Sequence, residues 1–228
     1  MWGVVAERNG RVVGSNFLDE RGEVRGVGPI TVDPDAQERG VGRALMETVL
    51  ERSTGAAGVR LLQDAFNTRS MALYAALGFE ITDPVALMAG RPSGIVPAGH
   101  SVRALTVEDL PAAAELSLRV HGYERTAELA DALGAGGATA VLRDGKLAGY
   151  ATSLAHFASA HAVAETTDAM SALVLAGDAP ASFLLPTRQH ELFRRALSAG
   201  LRVVKPMNYM VTGHHREPAG AWIPSVLY

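Results

Sequence analysis

Cysteine is absent from this chain of 228 residues. That excludes disulfides, thiolate metal sites and any cysteine nucleophile. A basic excess is missing too: 21 Lys and Arg stand against 24 Asp and Glu, for a net charge of −3 and a pI near 6.2. No global positive field therefore argues for nucleic acid or an anionic membrane as a partner. No apolar run approaches the roughly 20 residues that a membrane helix needs. Met1-Trp2-Gly3 leads straight into a strand pattern, without the basic and apolar regions of a signal peptide. Together these absences lead us to expect a cytoplasmic protein. What remains is 48 % hydrophobic and 20 % charged residues, the balance of an ordinary globular chain. Its length allows one large domain or two modest ones.

Internal similarity favours two. ERNGRVVGS (7–15) and LRDGKLAGY (142–150) each read as strand, tight turn and strand, offset by 135 residues. Asn9-Gly10 and Asp144-Gly145 are strong hairpin turns. NTRSMALYAALGFEI (67–81) and QHELFRRALSAGLRV (189–203) each read as a short helix stopped by glycine and followed by a strand, offset by 122. Two matches in the same order indicate a duplicated α+β unit. The Gly- and Pro-rich stretch AGRPSGIVPAGH (89–100) marks the junction. The expected division is residues 1–97 and 98–228.

The copies differ. Residues 100 to 137 of the second read as a strand (Ser101–Ala104), a helix behind the acidic cap Thr106-Val107-Glu108-Asp109, and a helix around Arg125–Leu133. By the offset, the first copy lacks this stretch. It has instead VDPDAQERGVGRALM (32–46), where Gly40 and Gly42 lie between Arg39 and Arg43. A helical face follows at Val41, Ala44, Leu45, Thr48 and Val49. A glycine-pinched helix start suits an anion, because the first turn offers unpaired N–H groups at the positive end of the dipole. An ordinary loop-to-helix turn would explain the same residues. Strands are expected at VGPITVDP (27–34) and GVRLLQDAF (58–66), either side of this helix.

Gln37-Glu38-Arg39-Gly40-Val41-Gly42, followed by Asn67, Tyr74, Gly78 and Phe79, resembles the GNAT superfamily of N-acetyltransferases over roughly residues 3 to 88. The duplication, with GSNF (14–17), GPITVDP and the C-terminal EPAGAWIPSVLY, is similar to tandem-GNAT proteins with a degenerate second lobe. The resemblance implies two α+β lobes, each a mixed, mostly antiparallel sheet flanked by helices, the first without its N-terminal strand and helices. It implies transfer of an acetyl group from acetyl-CoA to a small-molecule amine or an exposed amino group. A non-catalytic acyl-CoA-binding or interaction protein, or the product of a truncated gene, is the alternative.

The same resemblance assigns residues. The pyrophosphate would lie on the N–H groups of Arg39, Gly40, Val41, Gly42, Arg43 and Ala44, with Gln37 beside it and Arg39 and Arg43 adding charge. Glu38 would point to solvent. Ile30, Thr31 and Val32 would pair with the pantetheine arm as an added strand does. Asn67 would hydrogen-bond the cofactor, although a simple N-cap explains it equally. Tyr74 would protonate or hydrogen-bond the leaving thiolate, against the plainer reading of a packing tyrosine. In the second copy Ala196 and Gln189 replace Tyr74 and Asn67. The general base is not legible among Glu7, Asp64 and Glu80.

No metal is expected, since His214-His215 and His156/His161 lack a third ligand. VHGYER (120–125) sits where an acceptor-side helix pair would be expected. A first sheet without its first strand and helices would bare an edge and an apolar face. The second lobe, an upstream extension or another copy of this chain in a homodimer would be expected to cover it.

Overall fold

The structure is a computed structural model that describes residues 1–37, 39–155, 160–177 and 179–226. It contains β1 (Trp2–Arg8), β2 (Arg11–Asp19), β3 (Val24–Val27), β4 (Thr31–Val32), α1 (Val41–Arg52), β5 (Gly58–Asp64), α2 (Thr68–Ala76) and β6 (Glu80–Gly90). Then follow β7 (His100–Ala104), α3 (Leu110–His121), α4 (Thr126–Gly134), β8 (Thr139–Arg143), β9 (Lys146–Ala151) and β10 (Ala162–Ala164). The chain closes with α5 (Thr167–Leu175), β11 (Ala181–Pro186), α6 (His190–Ser198), β12 (Arg202–Gly213) and β13 (Ala221–Ile223). This is a mixed α+β fold, mostly antiparallel, with six α-helices among the described residues. No described helix is long and apolar enough to cross a membrane.

By contact the chain forms two compact units. The first holds Met1–Thr82 with Asn208–His215, and the second holds Asp83–Met207 with Arg216–Ser225. β6 and β12 each contribute residues to both units.

In the first unit β1 and β2 form the expected hairpin, with Asn9 (φ 52°) and Gly10 (φ 75°) both left-handed, as a two-residue turn of this hand requires. The second unit repeats this at Asp144 (φ 51°) and Gly145 (φ 77°). The repetition is finer than the sequence motif suggests. The β1–β2 register slips between Ala6 and Glu7, and the β8–β9 register slips between Val141 and Leu142, the same offset of 135. Likewise α2 and α6 coincide end to end under the offset of 122.

The helical face of α1 turns out rotated. Val41, Leu45 and Val49 are buried as expected, but Ala44 and Thr48 are exposed and Met46 is fully buried. Val41, Leu45 and Ala36 form one apolar cluster, and Met46 and Val49 join Leu18, Val27, Leu61, Tyr74 and Phe79 in another. The expected strand 27–34 is also interrupted. β3 stops at Val27, Gly28-Pro29 follows, and β4 resumes at Thr31. Both segments pair with β2, Val27 opposite Leu18 and Thr31 opposite Ser15. Three residues therefore face two, the signature of a bulge, and Pro29 has no N–H to offer a ladder. The other expected strand, 58–66, ends at Asp64.

The edge of the first sheet beyond β5 is supplied from far along the chain. β12 lies beside β5. There the Asn208 amide donates to Gln63 Oε1 at 2.8 Å, and the His214 N–H donates to the Ala57 carbonyl at 2.8 Å. The buried Arg60 guanidinium donates to the carbonyls of Thr212 and His214. In the second unit β7 precedes α3 and α4 and pairs with β8. Among the described residues β1 has β2 as its ladder partner.

Candidate active site

The bulge decides what the first unit can hold. β3 runs parallel to β5, paired from Val24↔Gly58 to Val27↔Leu61. After the bulge β4 pairs with β2 alone, so β4 and the end of β5 part company beyond Leu61. Alternate N–H and C=O groups of β4 face this seam without a strand partner. Such an edge accepts one more extended chain. Thr31 is fixed there by a hydrogen bond of 2.8 Å between its hydroxyl and that of Ser15, while Ile30 packs into the core below.

At the end of the seam begins α1. Gly40 is its N-cap, left-handed at φ 81°, and it makes no side-chain cap hydrogen bond. The first turn of α1 contains no acidic residue. Gly40 is required by its backbone conformation, since a Cβ there would meet nothing within 4 Å. Gly42 is different. A Cβ on it would rest in ordinary contact, 3.7 Å from Leu73 and from Val32, so the protein itself does not demand glycine there. The space it leaves opens onto the uncapped amides, as an anion cradle requires. The Ala44 N–H donates to the Gly40 carbonyl at 3.0 Å, which leaves Arg39 to Arg43 to supply the cradle's donors.

Charge surrounds this start unevenly. Arg39 is exposed and makes no ion pair with a described residue. Arg43 has a loose pair with Glu47 at 3.5 Å. Gln37 reaches back to the Val32 carbonyl at 3.4 Å and accepts from Arg69 at 3.5 Å. Arg69, in the first turn of α2, is a cation that the motif reading passes over. Its sign lies in the spacing, two residues after the Asn67 cap. Glu38 lies outside the described residues.

Asn67 caps α2, its Oδ1 accepting from the Ser70 N–H at 3.1 Å. Tyr74 is buried, 6 % exposed, with its ring edge-on to Phe79 at 6.2 Å. Burial, aided by the charge of Asp64, pushes its phenol up to about 12. Asp64 stands at the end of β5, where the seam opens, whereas Glu7 and Glu80 are exposed. In the second unit His121 and Arg125 of VHGYER are buried, and His161 meets Glu128 at 3.1 Å; His156 lies outside the described residues.

The stretch of chain that builds this arrangement, a bulged strand parting from its neighbour beside an uncapped glycine helix start, has a match among family models. Residues 2–81 match the acetyltransferase (GNAT) domain. Over those residues the chain is similar to GNAT acetyltransferases. The fold as a whole agrees. A candidate acetyltransferase from Pyrococcus horikoshii superposes with a TM-score of 0.75 at 16 % identity, covering 96 % of this chain and 78 % of that one. A tandem GNAT protein from the clavulanic acid biosynthesis pathway gives 0.58 at 17 % identity, covering 96 % and 82 %. A GCN5-related N-acetyltransferase from Sphaerobacter thermophilus gives 0.57 at 17 %, covering 92 % and 79 %. A search of curated protein sequences finds no match. These structures share the fold over both units.

Proposed function

We propose that the first lobe, residues 1–97, transfers an acetyl group from acetyl-CoA to a small-molecule amine or an exposed amino group, in the cytoplasm and without a metal. Residues 98–228 form the degenerate lobe of the same proposal. The observation that carries the reading is the open seam between β4 and β5 leading to the uncapped start of α1.

Acetyl-CoA would supply an activated acyl group as a thioester. The amides of Arg39 to Arg43 would hold its pyrophosphate, with Arg39, Arg43 and Gln37 around it. Ile30 to Val32 would hold the pantetheine arm along the strand edge, and Asn67 would add an amide donor through its Nδ2, since its Oδ1 already caps α2. Charge developing on the carbonyl oxygen would meet strand N–H groups near Ile30–Val32. Tyr74, held protonated by burial, would donate a hydrogen bond to the leaving sulfur. Asp64 is the carboxylate whose charge bears on Tyr74, which makes it the candidate among the three to accept the amine's proton. Holding both reactants in place would supply much of the acceleration.

A second reading, an acyl-CoA-binding protein that does not turn over, is favoured by one observation: Tyr74 is 6 % exposed and its ring packs on Phe79, as a purely structural tyrosine would. Isothermal titration separates the site from the activity. Arg39→Ala and Gly40→Glu are expected to weaken acetyl-CoA binding about ten- to a hundredfold, the worth of a charge-assisted contact. Equal affinity in both variants would remove the site assignment. Tight binding with no transfer to any of a broad panel of amines would select the second reading.

A further inference from the structure

In the second unit the counterpart of the open seam is filled by the protein itself. By its pairing β10 stands where β4 stands, since Ala164 lies opposite Gly149 as Val32 lies opposite Gly14, glycines 135 apart. Under the offset of 122 β11 falls on β5, and no ladder joins β10 to β11 among the described residues. β13 lies between them. It pairs antiparallel with β10, Ala162↔Ile223, Val163↔Trp222 and Ala164↔Ala221, and it packs against β11 on its other side.

The fit is built from several directions. Gln189, the N-cap of α6, takes the place that Asn67 has before α2. Its carboxamide clasps the backbone of one residue of β13: Oε1 accepts from the Trp222 N–H at 3.0 Å, and Nε2 donates to the Trp222 carbonyl at 2.6 Å. Neighbouring residues of a strand turn their amides to opposite edges, so Ala221 and Ile223 serve β10 while Trp222 serves Gln189. Gly220 admits no side chain, since a Cβ would lie 2.5 Å from the Ala164 carbonyl oxygen. The Trp222 ring stands edge-on to His121 at 5.6 Å, and Ser225 is held by Arg125 at 3.3 Å. Ile223 and Ser225 are each 1 % exposed. The helix start beside this seam is closed as well. Thr166 caps α5, accepting from the Ala169 N–H at 3.2 Å, and Asp168 adds a negative charge to its first turn.

We propose that the C-terminal segment Gly220–Ile223 is the resident occupant of the second lobe's cofactor cleft. It lies in the second lobe as the arm of coenzyme A would lie in the first, and it closes that lobe to acyl-CoA. The comparison with the arm rests on the cofactor reading of the first lobe; the occupancy does not, and a peptide probe tests it separately. The probe is the octapeptide AGAWIPSV, the sequence of residues 219–226.

On the full chain, hydrogen exchange should find the Trp222 and Ile223 amides protected, unchanged by saturating coenzyme A, and the peptide should not bind. Gly220→Val should expose both amides and create one peptide site per chain, which Gln189→Ala added to it should weaken about thirtyfold, for two lost hydrogen bonds. Should Gly220→Val fail to fold, Gln189→Ala alone should speed exchange at Trp222 by a similar factor and leave Leu184 of β11 unchanged. Peptide binding to the unaltered chain would overturn the proposal. So would loss of protection on adding coenzyme A, a freed segment whose groove takes no peptide, or unchanged exchange in Gln189→Ala.

Discussion

Tyr74→Phe is expected to lower turnover by about 100- to 1,000-fold, the cost of losing one donor aimed at developing charge, with acetyl-CoA affinity nearly unchanged. The size follows from the proton's position. A phenol at about 12 facing a thiol near 8.5 gives up its proton at a cost of roughly 5 kcal/mol. On the proposed reading Tyr74 would therefore stabilise the leaving thiolate as a hydrogen-bond donor and keep its proton. The sign for pH is clear. A phenol raised by burial is protonated throughout the range below about 11, so its ionisation should put no falling limb on the rate between pH 7 and pH 10. Steady-state kinetics across that range measures both points. Turnover within about twofold of the unaltered protein would leave Tyr74 as the packing partner of Phe79 alone. The phenylalanine keeps the ring contact, so a large loss would belong to the hydroxyl.

Glu128→Ala is expected to destabilise the protein by about 3–5 kcal/mol, since it strands the buried Arg125 guanidinium. The Arg125 guanidinium meets Glu128 Oε2 at 2.6 Å, with side chains 1 % and 3 % exposed, and His161 Nδ1 approaches the same oxygen at 3.1 Å. Removing the carboxylate leaves Arg125 in a site that water does not reach. Replacing Arg125 and Glu128 together with Met and Leu should recover most of the loss, because the pair's mutual attraction little more than offsets its own desolvation. Urea denaturation followed by Trp222 fluorescence would report the difference. A Glu128→Ala protein as stable as the unaltered one would mean that water or a rearranged side chain satisfies Arg125.

Much of this was legible in the residues. The two turns and the two glycine stops after α2 and α6 appeared where Asn-Gly, Asp-Gly, Gly78 and Gly200 stand, because each requires a left-handed backbone. Gly40 was visible for the same reason. Periodicity served less well on α1. It cannot distinguish Ala44 from Met46 as the flank of a stripe running through Val41, Leu45 and Val49, and the larger side chain took the core. The break at Gly28-Pro29 was read through as one strand, although Pro29 announces an interrupted ladder. The filling of the second seam by β13 had no local signature. AGAWI carries neither the length nor the alternation of a strand, and its partners Gln189 and Val163 are distant in sequence. The buried Arg125–Glu128 pair was hidden among residues that usually face solvent.

The long reach of β12 bears on how the protein is made. The first unit takes its last strand from Asn208–His215, about 150 residues beyond its β5 partner. A ribosome releasing the chain from its N-terminus therefore exposes β5 with one edge bare until residues 208–215 have emerged. The unit translated first waits for residues that follow most of the second. Pairings that close so large a loop form slowly, and an unpaired edge invites association with other nascent chains in the interval. The half of the chain that carries the glycine loop and Tyr74 thus depends, for its own completion, on a strand made about 150 residues after β5.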